Sequence, residues 1–219
     1  MTNISFSITD YPTIRRTLFD LHTRIYKNPN ADEIKTCAKH LGLWHKKAVN
    51  ANNDVEVELL MDYWLYGLQP NGFNMAEKYS RLHKNQLTEF EQALLSRMRL
   101  ARYSVFQVVE TNHLDTLTVV DVFIKNRFTL LDQHLAQSTG VGQVMAGYLI
   151  DLGDFCIQSG AVLALNKALL QADEVIDALE RVGDENLADY LLIPANAAKL
   201  ARAMIAASIR LGFTGGSSR

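Results

Sequence analysis

Apolar residues recur at helical spacing through the first part of the chain. Ile14, Leu18, Leu21 and Ile25 fall three and four residues apart, the stripe that one buried face of an α-helix requires. Asp10 and Pro12 stand where a cap and a first-turn proline belong, and Asn28-Pro29-Asn30 closes the segment. Residues 31–41 predict a second helix stopped by Gly42, and residues 43–49 either extend it or form another short helix. Asn50, Asn52, Asn53 and Asp54 mark a turn. Over residues 55–68 two periods compete. Val55, Val57 and Leu59 alternate as in a strand, whereas Val57, Leu60, Met61, Trp64 and Leu65 fit a helix, and the length of the run favours helix. A turn at residues 69–72 precedes a short helix over 75–82. Thr88 and Glu91 have capping-box spacing and open a helix that runs to about Tyr103.

The pattern changes after Tyr103. β-branched and aromatic residues dominate, and Gly140, Gly142, Gly147, Gly153 and Gly160 punctuate the run. Residues 104–111, 117–122, 123–131, 142–152 and 155–165 predict five short strands, enough for a compact closed sheet. Helix returns after Asn166, over residues 167–182, 185–192 and 194–211, the last rich in alanine, and the Gly/Ser run from Gly212 reads as a frayed end. The predicted architecture is α+β: a helical N-terminal region (1–102), a small five-stranded antiparallel SH3- or OB-like barrel (103–165), and C-terminal helices with a disordered tail (166–219).

Composition narrows the class. The chain has 219 residues, 48% of them hydrophobic and 21% charged, with a net charge of -2, which excludes a disordered or fibrous chain. Cys37 and Cys156 read as free thiols rather than a disulfide framework. The N-terminus has no signal-peptide pattern, and each apolar run is interrupted by charge: Asp62, Asp151 and Asp154, or Lys199, Arg202 and Arg210. A cytoplasmic protein that does not enter membranes is expected.

The stretches MDYWLYG, NMAEKYSR, LTEFEQALLSRMRLARYSVFQVVE, LTVVDVF and SGAVLAL follow one another between Met61 and Leu165. In this order they resemble an uncharacterised bacterial family in which a helical region leads into a small β-barrel, some relatives adding a SEC-C zinc knuckle. The resemblance implies a fold and no activity. The cysteines and histidines of that knuckle are absent after Gly160, so no metal is carried over.

Candidate chemistry is sparse. Cys37, His40 and His45 lie close in sequence, but a structural zinc needs a fourth ligand, and packing is the expected role. His113 and Asp115 share a turn, where such pairs hold the loop. Glu56, Glu58 and Asp62 read as a solvated face. The GVGQVMAG segment at residues 140–147 lacks the lysine and spacing of a phosphate loop. No catalytic, metal or cofactor residue is assigned.

Charge is uneven. Residues 1–49 carry eight Lys/Arg against four acids, and residues 103–165 carry two against six. Arg15, Arg16, Lys39, Lys46 and Lys47 are the candidate contacts to phosphate or to a partner. Asp173, Asp177 and Glu180 form an acidic stripe suited to a basic partner. The expected function is a non-catalytic interaction or regulatory protein with a protein partner, including a second copy as a homodimer. The alternatives are a nucleic-acid-associated module using the basic N-terminal helices, an enzyme of unrecognised class and a small-ligand sensor.

Overall fold

The structure, a computed structural model, describes residues 4–112, 115–180 and 186–214. Helices come first. α1 (Tyr11–Tyr26) buries Ile14, Leu18, Leu21 and Ile25, the stripe read from the sequence. α2 (Ala31–His40) is capped by Asn30, whose side chain accepts from the backbone N–H groups of Asp32 and Glu33. Residues 43–49 are not helical. Trp44–His45 (β1) and Ala48–Val49 (β2) pair antiparallel around a two-residue turn of Lys46 and Lys47, both with positive φ (47° and 66°). That turn suits the twist of a hairpin, and helix propensity yields to it.

α3 (Asp54–Asp62) runs directly into a π-helical turn at Tyr63–Gly67. α4 (Met75–Leu82) and α5 (Glu89–Met98) complete the N-terminal layer, and α5 carries the capping box of Thr88 and Glu91.

Five strands follow: β3 (Arg102–Thr111), β4 (Thr116–Asp121), β5 (Arg127–Leu131), β6 (Val144–Asp151) and β7 (Cys156–Ala164), with a short helix, α6 (Gln133–Ser138), between β5 and β6. They correct the expected SH3- or OB-like antiparallel barrel. The sheet is mixed. β3–β4, β4–β5, β3–β6 and β6–β7 are antiparallel ladders, but β5 meets β7 in parallel through a single register pair, Leu130 with Cys156. The strand order β3-β4-β5-β7-β6 returns to β3, so pairing runs in a ring whose seam is that one parallel contact. Crossover connections of this kind leave no mark on the alternation of any one strand. The expected third strand also starts too early: residues 122–124 turn, and buried Asp121 accepts the N–H groups of Phe123 and Ile124.

Alternation along β3 and β6 divides the apolar residues between two cores. Phe106, Val108, Met145 and Leu149 join Leu117, Val119 and Leu130 in a small cluster within the sheet. Tyr103, Val105, Ala146, Tyr148 and Ile150 point the other way, into the main core shared with the helices. β6 is therefore covered on both faces. The main core takes residues from all three segments expected from the sequence.

At the C-terminal end the expected helix over 167–182 is two, α7 (Lys167–Leu170) and α8 (Asp173–Glu180); its predicted stop, Gly183, lies outside the described residues. α9 (Leu187–Leu192) leads to α10 (Pro194–Arg210), which packs on α8, on the π turn and on β3. Gly212 (φ 74°) does not fray but closes α10 in a Schellman-type turn, with Phe213 N–H donating to Ser208 O. Residues 215–219 of the expected tail are outside the described residues. No helix among the described residues is long and apolar enough to cross a membrane.

Candidate functional site

The π turn organises the site. Leu68 N–H donates to Tyr63 O at 2.8 Å, a bond five residues back, and Tyr63, Trp64, Leu65, Tyr66 and Gly67 are all buried. Such turns widen a helix locally and recur at functional sites. Around this one the fold gathers buried polar side chains. Asp62, at the junction of α3 and the π turn, is 4% exposed. Its carboxylate accepts from Ser159 Oγ at 3.0 Å, from Ala161 N–H at 3.0 Å and from Tyr26 Oη at 3.5 Å. Burial pushes its pKa up to about 7 against the pull of those donors. Gly160 makes the approach feasible, since a Cβ there would lie 2.8 Å from the Asp62 carboxylate.

Tyrosines line the remainder. Tyr66 Oη and His22 Nε2 are 2.8 Å apart, and burial, with Arg15 beside it, pushes His22 down to about 4. Tyr63 Oη bonds His40 Nδ1 at 3.1 Å. Tyr66 and Tyr148 stack at 5.4 Å, and Tyr103 meets Tyr148 edge-on at 5.1 Å. The Tyr103 and Tyr148 hydroxyls are buried without a hydrogen-bond partner among the described residues. Burial raises the pKa of both. Perturbed titratable groups gathered in this way mark a candidate site.

This network backs onto a cleft of about 410 Å³ between the π turn and the C-terminal helices. Buried Tyr63 and Gly67 form its deep wall, and Ala178, Ala198, Ala203 and Ala206 its apolar sides. A Cβ on Gly67 would sit 2.4 Å from the Tyr148 hydroxyl, so this unpartnered group lies directly behind the cleft floor. His40, Lys199, Arg202, Glu174 and Asp177 supply the polar lining. Burial and the nearby Arg202 guanidinium lower the pKa of His40, which favours neutral imidazole.

The residues singled out from sequence are dispersed. Arg15 is half-buried and donates to Gln158 O in β7 at 2.8 Å, a structural bond. Arg16 and Lys39 are exposed on α1 and α2, and Lys46 and Lys47 form the β1–β2 turn. Of the acidic stripe, exposed Asp177 lines the cleft, while Asp173 and Glu180 are exposed elsewhere on α8. His40 binds Tyr63, His45 lies 3.1 Å from Gly42 O, and Cys37 is buried with its thiol pushed up to about 12 by burial and then by Glu33. His113 is outside the described residues. The reading of Glu56 and Asp62 as a solvated face is corrected: both are buried, and Glu56 accepts from Asn52 N–H and from Thr214 Oγ1. The signal for Asp62 was present in LLMDYWLYG, an acid inside an apolar run. Nothing marked Arg202 or the tyrosine pair Tyr103 and Tyr148 as neighbours of the π turn.

A second concavity follows α4. Two hollows of about 370 and 230 Å³ share Met75, Lys78 and Leu82. Leu82 is 70% exposed, and Arg24, Lys27, Arg81 and His83 stand around the two hollows.

Residues 6–180 match the model of a family described as a family of unknown function (DUF7986). That finding replaces the likeness to a barrel family with zinc-knuckle relatives. No curated protein and no solved structure matches the chain.

Proposed function

We propose that this chain, which belongs to the family of unknown function DUF7986, is a non-catalytic regulatory protein that binds a small ligand in the cleft between the π turn and α8–α10. The observation that carries this reading is the coincidence of the π turn, the unpartnered buried Tyr148 hydroxyl and an alanine-walled cleft with a few convergent polar groups. In its lining the Tyr63 hydroxyl is paired with His40, but burial holds the Tyr63 pKa up at about 12, which keeps it a protonated phenol rather than a nucleophile. The free thiols Cys37 and Cys156 support a reducing compartment such as the cytoplasm.

The test is ligand-observed NMR with a mixture of small polar metabolites. Ala195 is exposed at the cleft, and Ala195→Trp would plug it without touching the core. Saturation transfer that Ala195→Trp removes supports the reading. Transfer that persists in the variant, or none in the parent protein, overturns it.

The groove along α4 favours a second reading, docking of an acidic amphipathic segment from a partner protein. Its apolar floor would take the partner's hydrophobic side chains, and at its rim the partner's acids would compete with Glu91, Glu33 and Glu77 for Arg24, Lys78 and Arg81.

A further inference from the structure

The charges around the π-turn cleft are mostly spoken for. Glu174 is held by Arg210 through two bonds, 2.7 and 2.8 Å. Lys199 donates to Tyr190 Oη at 3.1 Å and to Asn196 Oδ1 at 3.0 Å. His40 is engaged with Tyr63. Two groups remain. Arg202 and Asp177 both line the cleft. They form no ion pair with each other, and neither has a hydrogen-bond partner among the described residues.

We infer that the cleft recognises a small zwitterion of the α-amino-acid or short-peptide class, its carboxylate on Arg202 and its ammonium on Asp177. The inference rests on the cleft being a ligand site. A guanidinium offers two parallel N–H donors that match a carboxylate, and a carboxylate accepts from an ammonium. A simple anion entering here would meet the Asp177 and Glu174 carboxylates, and a simple cation would meet Arg202 and Lys199. A molecule bearing both charges meets each where it is wanted, and such lining rejects the singly charged forms by repulsion. The alanine walls take an apolar side chain. Tyr63 and His40, already hydrogen-bonded together, present polar edges rather than net charge.

The test is isothermal titration calorimetry on the full chain, with the proteinogenic amino acids and alanyl-alanine as probes. Every probe that binds is then repeated as its N-acetyl and C-amide form. Binding of a zwitterion that weakens at least tenfold with either cap supports the inference, as does loss of at least tenfold in both Arg202→Met and Asp177→Asn. Both side chains are exposed and unpaired, so these variants keep the parent melting temperature, which is measured alongside. A capped form that binds as tightly as the zwitterion, or an Asp177→Asn protein of unchanged affinity, overturns it. So does a panel in which nothing binds. The metabolite experiment with Ala195→Trp separates the two levels. A neutral or singly charged ligand displaced by that variant leaves the cleft a ligand site and removes only the zwitterion.

Discussion

Asp62 makes the fold's stability depend on pH in a direction opposite to most carboxylates. In the native protein burial holds its pKa at about 7, against an ordinary 3.8. A carboxyl with a raised native value favours folding fully only while both states are protonated, and the advantage is lost as pH rises through the native value. Over that interval of roughly three units, at about 1.4 kcal/mol per unit, the loss is about 4 kcal/mol. Asp62→Asn removes the titration and keeps the geometry. The amide oxygen, in the place of Oδ2, still accepts from Ala161 N–H and Ser159 Oγ, and the amide nitrogen, in the place of Oδ1, has Tyr26 Oη as its acceptor. Urea unfolding of both proteins, followed by fluorescence of buried Trp64, would be recorded between pH 4 and 8. His22 acts in the other direction: with its native value lowered to about 4, it adds stability as pH rises from there towards 6.5. It is common to both proteins and cancels in the difference. The parent is expected to lose about 4 kcal/mol relative to Asp62→Asn between pH 4 and pH 7. A difference that is flat, or that rises with pH, would refute the reasoning, since it would mean that the three donors outweigh desolvation and keep the carboxylate ionised.

Gly67→Ala places a Cβ 2.4 Å from the Tyr148 hydroxyl and 2.5 Å from the Tyr63 ring. A loss of roughly 1–3 kcal/mol is expected, a melting temperature lower by several degrees; an unchanged melting curve would show that the tyrosines are not packed against the turn. For the α4 groove, a fluorescent acidic amphipathic peptide is expected to bind with an affinity that falls as salt is added, and Leu82→Asp should weaken it at least tenfold. Binding insensitive to both would remove that groove as the docking surface.

Local structure was readable where one period or one cap decided it. The α1 stripe is buried as spaced, and Thr88 with Glu91 closes its capping box. What escaped depended on contacts distant in sequence. No residue of β5 or β7 records that the two meet in parallel, because the direction of a neighbouring strand does not change which side chains a strand turns inward. Lys46-Lys47 is not a pair that propensity assigns to a positive-φ hairpin turn. Asp62 looked solvated because Glu58 stands one helical turn before it, yet its partners Ser159 and Ala161 lie almost a hundred residues further on. The cleft is subject to the same limit, since α2, the π turn and α10 each supply part of its lining.

The single register pair between β5 and β7 bears on how the chain assembles. β3, β4 and β5 follow one another as neighbours, as do β6 and β7, so two meanders can form from nearby residues. The β3–β6 ladder then joins them. The Leu130–Cys156 contact closes a shorter stretch of chain than the β3–β6 ladder does, but it rests on one register pair and so has the least to gain, and it is where the hoop of strands would loosen first.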